Sequence, residues 1–428
     1  MANTKVIAIV AVVIIVAAGA GAAVFMLNNS SDSKYVSTDS TGRLQIMGNA
    51  NNDDYLDSKD LSTIDAIIDG TLDFKDYPMA DANNDKQVTK ADRDMVERMI
   101  KREAMTINYI DGNDTVKSVK YPLNRVVVVG SNAMMTMQAL GAVTAKKVVG
   151  VTGEASKDYF LFSDVKDLPK VSTSVLAADY DAVTKIGNVD AIITMASLSY
   201  IKNETTFTKA GIDVVRISSS DGMKAISVAL TMGYLLGLED RANDYAKFCD
   251  DVLKFISEKK EKIPEASIKT VLTGTMTNYV SGTTSDYYSL TVMCGAKNLA
   301  DWNDSTKRFN EGDEWLLNEK YNCDLFIHYH QYTYDPSEDL TDMYMEYRSY
   351  YEDAQFVKDG HYFMINSNMP AIVRLAYTAQ LLNPEIFGED YGDVIHQQYV
   401  DKFLDNLSKD HYDVKSQKFI LMDKDFNL

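Results

Sequence analysis

The sequence predicts a multi-domain chain: an amino-terminal transmembrane helix, a small all-α domain, and an α/β domain of two lobes held by a long connecting helix. Three observations predict it. Residues 6–27 form an unbroken uncharged run, an acidic loop pattern occurs twice between residues 49 and 92, and short β-branched strands alternate with helical runs on both sides of segment 222–263. At 428 residues the chain exceeds one typical hydrophobic core, so several domains are expected.

The connecting segment organises the rest. It reads as a helix, a break at Gly237-Leu-Glu-Asp240, and a second long helix. In that second helix Tyr245, Phe248, Val252 and Phe255 recur at three- and four-residue spacing and make one apolar stripe, while Asp240, Asp244, Asp251, Lys254 and Lys259 fall largely on the other side. Such a helix is a stiff spacer that lets two lobes (105–221 and 264–428) face each other across a cleft. The alternative is an ordinary crossover helix within one large domain. Strand signals that resume at Lys269 with fresh turns favour the spacer.

A net charge of -19 argues against a nucleic-acid partner, because binding phosphates needs a basic face. Cys249, Cys294 and Cys323 are odd in number and widely spaced, so they are read as free buried thiols, with a Cys294–Cys323 bridge as the alternative. The apolar run is long enough to span the ~30 Å hydrocarbon core. Lys5 precedes it, and Asn28, Asn29 and Asp32 follow it. Lys5 on the short side places the amino terminus in the cytoplasm. A cleaved signal peptide competes through the small residues at 18–23, but the run continues past them, which suits an uncleaved single-pass anchor. Both readings put the main domains outside the cytoplasm. No Cys follows the run, so a lipoprotein anchor is excluded, and the Ser/Asp/Thr-rich residues 30–41 read as a flexible linker.

The two acidic loops are Asn49-Ala-Asn-Asn-Asp-Asp-Tyr-Leu-Asp-Ser-Lys-Asp60 and Asp81-Ala-Asn-Asn-Asp-Lys-Gln-Val-Thr-Lys-Ala-Asp92. Both carry oxygen-bearing side chains at positions 1, 3, 5, 9 and 12, and calcium needs oxygens presented from alternating positions of a tight loop plus one carbonyl. Leu56 and Val88 occupy position 8 and can dock each loop on a small core. Helices follow, marked by Leu61, Ile64, Ile67 and Ile68 and by Met95, Val96, Met99 and Ile100. The pattern resembles a dockerin domain over roughly residues 42–101, within an expected domain of residues 42–104. The resemblance implies two calcium ions, one held by Asn49, Asn51, Asp53, Asp57 and Asp60 with the Tyr55 carbonyl. The other is held by Asp81, Asn83, Asp85, Thr89 and Asp92 with the Gln87 carbonyl. It also implies recognition of a cohesin-bearing protein through positions 10 and 11, here Ser58, Lys59, Lys90 and Ala91. Position 6, often Gly, is Asp54 and Lys86, and Asp tolerates positive φ better than Lys.

Beyond residue 104, strands 106–110 and 115–121 flank a hairpin turn, and further strands are expected at 126–129, 147–151, 190–195 and 213–217. The second lobe offers 269–273, 324–329 and 361–365. Mostly parallel sheets follow, with ligands collecting at the carboxyl ends of the strands. The order of the hairpin, Pro122-Leu-Asn-Arg125, Ala139-Leu-Gly-Ala142, Asn188-Val-Asp-Ala-Ile-Ile-Thr194 and Leu238-Glu-Asp-Arg-Ala242 resembles the substrate-binding proteins of ABC importers for iron–siderophore, haem and cobalamin-type ligands. The resemblance covers about residues 106–428 and implies a bilobal periplasmic-binding-protein fold that presents a metal-chelate small molecule to an ABC permease.

Topology then names the candidate ligand residues. In the first lobe they are Ser131, Asn132, Met134, Glu154, Ser197 and Ser199, and in the second Tyr279, Tyr287, Tyr288, Trp302, Arg308, His328, His330 and Tyr332. His328 and His330 lie two apart on a strand and therefore share a face. There they could stack on or coordinate a chelate, or simply cover the strand end. Met134, Met135 and Met137 suit a helix core, and residues 344–351 suit an amphipathic helix beside the cleft. No nucleophile elbow, His-Glu-x-x-His or Gly-rich phosphate loop is present, so the chain is not read as an enzyme. A glycosidase, which dockerins often accompany, would hide its carboxylates among 62 acids, and the strand order fits it poorly. The alternative to a solute receptor is a cell-surface assembly component that docks to a cohesin.

Overall fold

The computed structural model describes residues 13–15, 24–26, 43–153, 160–173, 178–196, 201, 203–219, 222–275, 279–301, 307–308 and 321–428. Within the apolar run, β1 (Val13–Ile15) pairs antiparallel with β2 (Val24–Met26) where the sequence predicts one continuous helix. The β-branched Val and Ile of these stretches favour an extended backbone. The rest of the run lies outside the described residues, among which no helix is long and apolar enough to cross a membrane.

A helix follows each of the two acidic loops. Helices α1 (Ser58–Ile68) and α2 (Lys90–Ile100) each open on a capping box, Asp57 with Asp60 and Thr89 with Asp92. They pack around Ala50, Ile64, Ala80, Ala82 and Val96, with Leu56 and Val88 against that core. Leu44, Ile46 and Met99 instead join the core of the first lobe. The unit is therefore seated on its neighbour.

A hairpin of β3 (Met105–Ile110) and β4 (Val116–Tyr121) leads into the first lobe. Its chain order is β5 (Val126–Val128), α3 (Ser131–Ala139), β6 (Val148–Thr152), β7 (Lys170–Ser172), α4 (Tyr180–Ile186), β8 (Ala191–Met195), α5 (Glu204–Lys209) and β9 (Asp213–Ile217). All five strands β5–β9 are parallel, in the order β7-β6-β5-β8-β9. The winding direction reverses between β5 and β8, which opens a crevice at their carboxyl ends.

The connecting unit is α6 (Ala225–Leu236) and α7 (Glu239–Lys260). Gly237 at φ 67° ends α6, and the Leu238 N–H bonds the Gly233 carbonyl. The second lobe contains β10 (Thr270–Gly274), β11 (Tyr279–Val280), α8 (Asp286–Met293), β12 (Lys297–Asn298), β13 (Lys307–Arg308), β14 (Leu325–His330), α9 (Thr341–Ser349) and α10 (Gln355–Lys358). There follow β15 (Tyr362–Asn366), α11 (Ala371–Leu382), α12 (Pro384–Phe387), α13 (Tyr391–Phe403), α14 (Asp405–Lys409) and β16 (Ile420–Met422). The sheet order is β12-β10-β14-β15-β16, parallel except for β16, and the direction reverses between β10 and β14.

The helix α7 does more than separate the lobes. Tyr245 packs edge-on to Tyr399 and Phe403 of α13, and Phe255 stacks on Tyr391 at 4.8 Å. One hydrophobic core consequently runs from the first lobe through α6 and α7 to the inner face of the second. A second core, around Phe326, Tyr344, Tyr351 and Tyr362, fills the outer face of the second sheet. Cys249, Cys294 and Cys323 are free and buried.

Candidate functional site

The two acidic loops repeat the same internal hydrogen bonds. The carboxylate at position 12 accepts the amides of positions 3 and 9: Asp60 takes Asn51 and Asp57, and Asp92 takes Asn83 and Thr89. The carboxylate at position 5 accepts the position 7 amide, Asp53 from Tyr55 and Asp85 from Gln87. Asp60 and Asp92 are fully buried, and burial pushes the Asp60 carboxyl up to about 7. The positive φ falls at Asn52 (54°) and Asn84 (60°) of position 4, and at Lys86 (70°), while Asp54 at the same position in the first loop avoids it. The residue type that tolerates positive φ less well is therefore the one that adopts it at position 6.

Whether these residues suit a cation is best judged at Asn49, which is fully buried. Its Nδ2 donates to the Leu44 and Asp53 carbonyls, both at 2.9 Å, which fixes the amide orientation. Its Oδ1 is then a buried acceptor with no donor, an arrangement that a cation relieves. Among the described residues no three His, Cys, Asp or Glu side chains are grouped to hold a metal ion; in the second loop both Asp81 oxygens are taken by the Asp85 and Lys86 amides. The first loop fits better. Ser58, Lys59, Lys90 and Ala91 are all exposed.

At the cleft, Gly130 (φ 95°) turns the chain from β5 into α3, which places Ser131 and Asn132 at the first crevice, half-buried. Asn132 contacts the Met195 sulfur at the end of β8. The second crevice lies where β14 ends, and there Gln331 Nε2 donates to Ser131 Oγ at 3.3 Å, bridging the lobes. Gln331 was not among the sequence candidates, although it sits between His330 and Tyr332. Tyr287 stacks on Tyr329 at 4.4 Å and lies under the Arg374 guanidinium, 5.1 Å from the ring centroid. Tyr279 is half-buried and pairs in register with Arg308. Glu154, Ser197, Ser199 and Trp302 lie outside the described residues.

Several candidates belong to the interior instead. Met134 is fully buried in the α3 core. Tyr288 packs in the outer core of the second lobe, and Tyr332 is buried there with its hydroxyl on the Lys418 carbonyl. His328 and His330 do share a face, with ring centroids 5.9 Å apart, but α9 covers that face. His328 is fully buried, its Nδ1 2.8 Å from the Tyr362 hydroxyl, and burial pushes it down to about 3. His330 is only half-buried and packs at 4.1 Å on Tyr347, so it is the member of the pair that a ligand can reach.

A third histidine is purely internal. His396 sits between the hydroxyls of Tyr334 (2.9 Å) and Tyr377 (3.2 Å), and burial pushes it down to about 3. It is neutral in the fold and takes up a proton on unfolding at acid pH. Its effect is absent above the unfolded value of about 6.5, grows as pH falls, and is complete below about 3. Subtracting the stability–pH curve of His396→Gln from that of the wild type should leave a difference that tilts toward acid destabilisation of the wild type. A difference flat between pH 6.5 and pH 4 would show that the native imidazole is charged.

No family model matches the sequence, and no curated protein matches it. Solved structures match in fold. A periplasmic solute binding protein from Veillonella parvula DSM 2008 has a TM-score of 0.55 at 18% identity, covering 76% of this chain and 96% of that one. MolA, the molybdate periplasmic binding protein of a Haemophilus influenzae ABC transporter, solved with molybdate, gives 0.55 at 14% over 69% and 97%. Helicobacter pylori CeuE in a Ni–His complex gives 0.54 at 16% over 71% and 99%. One parallel and one mostly parallel sheet whose reversal points face each other, joined through the helical unit α6–α7, give this chain the fold of the periplasmic solute-binding proteins.

Proposed function

We propose that this chain is a membrane-tethered extracytoplasmic solute-binding protein that captures a metal chelate of the iron–siderophore, haem or cobalamin class and presents it to an ABC permease. It is a binder and not an enzyme. The observation that carries the reading is the Ser131–Gln331 hydrogen bond, which brings the reversal points of the two sheets face to face. The half-buried aromatic groups Tyr279, Tyr287, His330 and Tyr347 suit a flat or aromatic chelate. The metal-bearing ligands named for MolA and CeuE, proteins of the same fold, support that class. The uncharged residues 6–27 supply the tether.

The loop unit is a dockerin-like module for two calcium ions, supported by the duplicated hydrogen-bond pattern and by the orphan Asn49 Oδ1. When bound, calcium would supply a positive centre to the oxygens of Asn49, Asn51, Asp53, Asp57 and Asp60, and to their counterparts Asp81, Asn83, Asp85, Thr89 and Asp92. The exposure of Ser58, Lys59, Lys90 and Ala91 favours a second reading, in which the module docks to a cohesin and the chain is an assembly component of the cell surface.

Differential scanning fluorimetry of the full chain, in calcium and mild detergent, tests the first reading against ferric siderophores, haem and cobalamin. One class should raise the melting temperature, by an amount equivalent to ~2.7 kcal/mol at a hundred times its Kd. A folded protein that shifts with none of them, yet is captured by a cohesin in calcium, would shift the assignment to the second.

A further inference from the structure

The seam between the loop module and the solute-binding domain is built from specific bonds. Ile46 bridges Tyr109 in antiparallel fashion, the Met47 N–H donates to the Asn108 carbonyl at 2.9 Å, and the Ile110 N–H donates to Gln45 at 2.9 Å. The module thus adds an edge to hairpin β3–β4. Asn108 is buried and donates from Nδ2 to the carbonyl of Ala82, the second residue of the second loop, at 2.9 Å. On the other side the Gln45 N–H donates to Thr231 of α6, and Tyr234 of α6 donates to the Met99 carbonyl. Arg102 pairs with Glu239 at the start of α7 and lies over the Tyr234 ring.

The first loop reaches α7 through one residue. Arg43 grips Asp250 of α7 with both terminal nitrogens, at 3.1 and 2.8 Å, while its Nε lies 2.8 Å from the Asp54 carboxylate. Asp54 occupies position 6 of the first loop and is not one of the five oxygen-bearing positions. The ion pair therefore binds the loop's conformation to α7 without using a calcium ligand. The three side chains are about two-thirds buried, and the Arg43–Asp250 contact is bidentate, so it is stronger than an ordinary surface pair.

The far end of the hairpin rests at the cleft. The Gly112 N–H donates to the Arg216 carbonyl and its own carbonyl accepts from Ser218 Oγ, both at 2.8 Å, at the carboxyl end of β9. A Cβ on Gly112 would fall 2.7 Å from that of Ala196 and 2.8 Å from the Ser218 nitrogen, so the tip has no slack. Asp114 pairs with Lys224 just before α6 at 2.8 Å. The module thus bears on the two elements that set the relation between the lobes.

We propose that calcium in the two loops is an effector of the solute-binding domain, acting through Arg43 on α7 and through Asn108 on the hairpin. This rests on the calcium reading above. A loop fixed around a cation presents Asp54 and Ala82 in one arrangement, so Arg43 and Asn108 engage them without the ordering cost that a fluctuating loop imposes. Linkage makes the effect reciprocal: severing the Arg43 contact weakens calcium binding by the factor by which calcium steadies α7.

The test is hydrogen exchange on the full chain with and without calcium, with calorimetric titration of calcium on the same sample. Two ions should bind, and exchange should slow about tenfold in 105–121 and 239–260 as well as in 43–104. Arg43→Ala should keep both ions and the hairpin's protection and lose that of α7. Asp250→Asn, which changes nothing in the module, should do the same and serves if Arg43→Ala fails to fold. No calcium binding would overturn both readings. Two bound ions with protection confined to 43–104 would overturn the coupling and leave the calcium reading standing.

Discussion

Arg374→Ala lowers the stability of the two-lobed domain by about 3 kcal/mol, the low end of what breaking a buried ion pair costs. The Arg374 side chain is only 1% exposed, and its Nη2 lies 3.4 Å from the Asp286 carboxylate, which is 19% exposed and so keeps some hydration when the guanidinium is removed. The guanidinium also covers Tyr287, which stacks on Tyr329, whose hydroxyl bonds Thr378 at 2.7 Å. Truncation therefore removes the guanidinium from beside a carboxylate and opens a void beneath an aromatic stack at the cleft. Urea unfolding of Arg374→Ala, Asp286→Asn and the double variant separates the two effects, because Asp286→Asn removes the carboxylate charge. The double variant should be more stable than Arg374→Ala alone. If it is not, the loss belongs to packing around Tyr287, and solute affinity should fall with it.

That site was only partly legible in the sequence, and the reason is geometric. Alternation along a strand states that His328 and His330 share a face, but not which face a helix will cover; α9 covers theirs and leaves His330 alone within reach. Gln331 is invisible as a candidate because its significance lies in Ser131, which belongs to the other lobe. Strands β5, though only three residues long, and β8 were readable because their residues are wholly buried and largely β-branched. By contrast β7, β12 and β16 are two or three residues long, too short to show a period, and exist because an edge of the sheet was there to pair with. The two acidic loops were legible as a repeat, since their spacing is local. Their attachment to α7 was not, because Arg43 and Asp250 stand 207 positions apart. The apolar stripe of α7 was found, but a stripe does not reveal that two lobes claim it, as the stacking of Phe255 on Tyr391 shows.

Gly233→Ala should cost about 2–3 kcal/mol, the opposite of what this substitution does in an exposed helix, where Ala is favoured by ~1 kcal/mol. A Cβ on Gly233 of α6 would stand 2.3 Å from the Cβ of Ala242 on α7, and 3.4 Å from the Leu238 carbonyl. Carbon atoms pack at about 3.5–4.0 Å. The Ala242 methyl has no rotamer to retreat into, so the two helices must part by more than an ångström. Calorimetric melting of the variant should show the loss, and Ala242→Gly added to it should recover most of it by restoring the room. Failure of that rescue would mean that the contact does not set the helix spacing. The same pair of variants also bears on function. Because α6 and α7 carry the first lobe on one side and α13 on the other, spreading them displaces Ser131 from Gln331. Solute affinity should therefore fall in Gly233→Ala and return in the double variant. An affinity unchanged by Gly233→Ala would mean that the cleft closes independently of the spacing between α6 and α7.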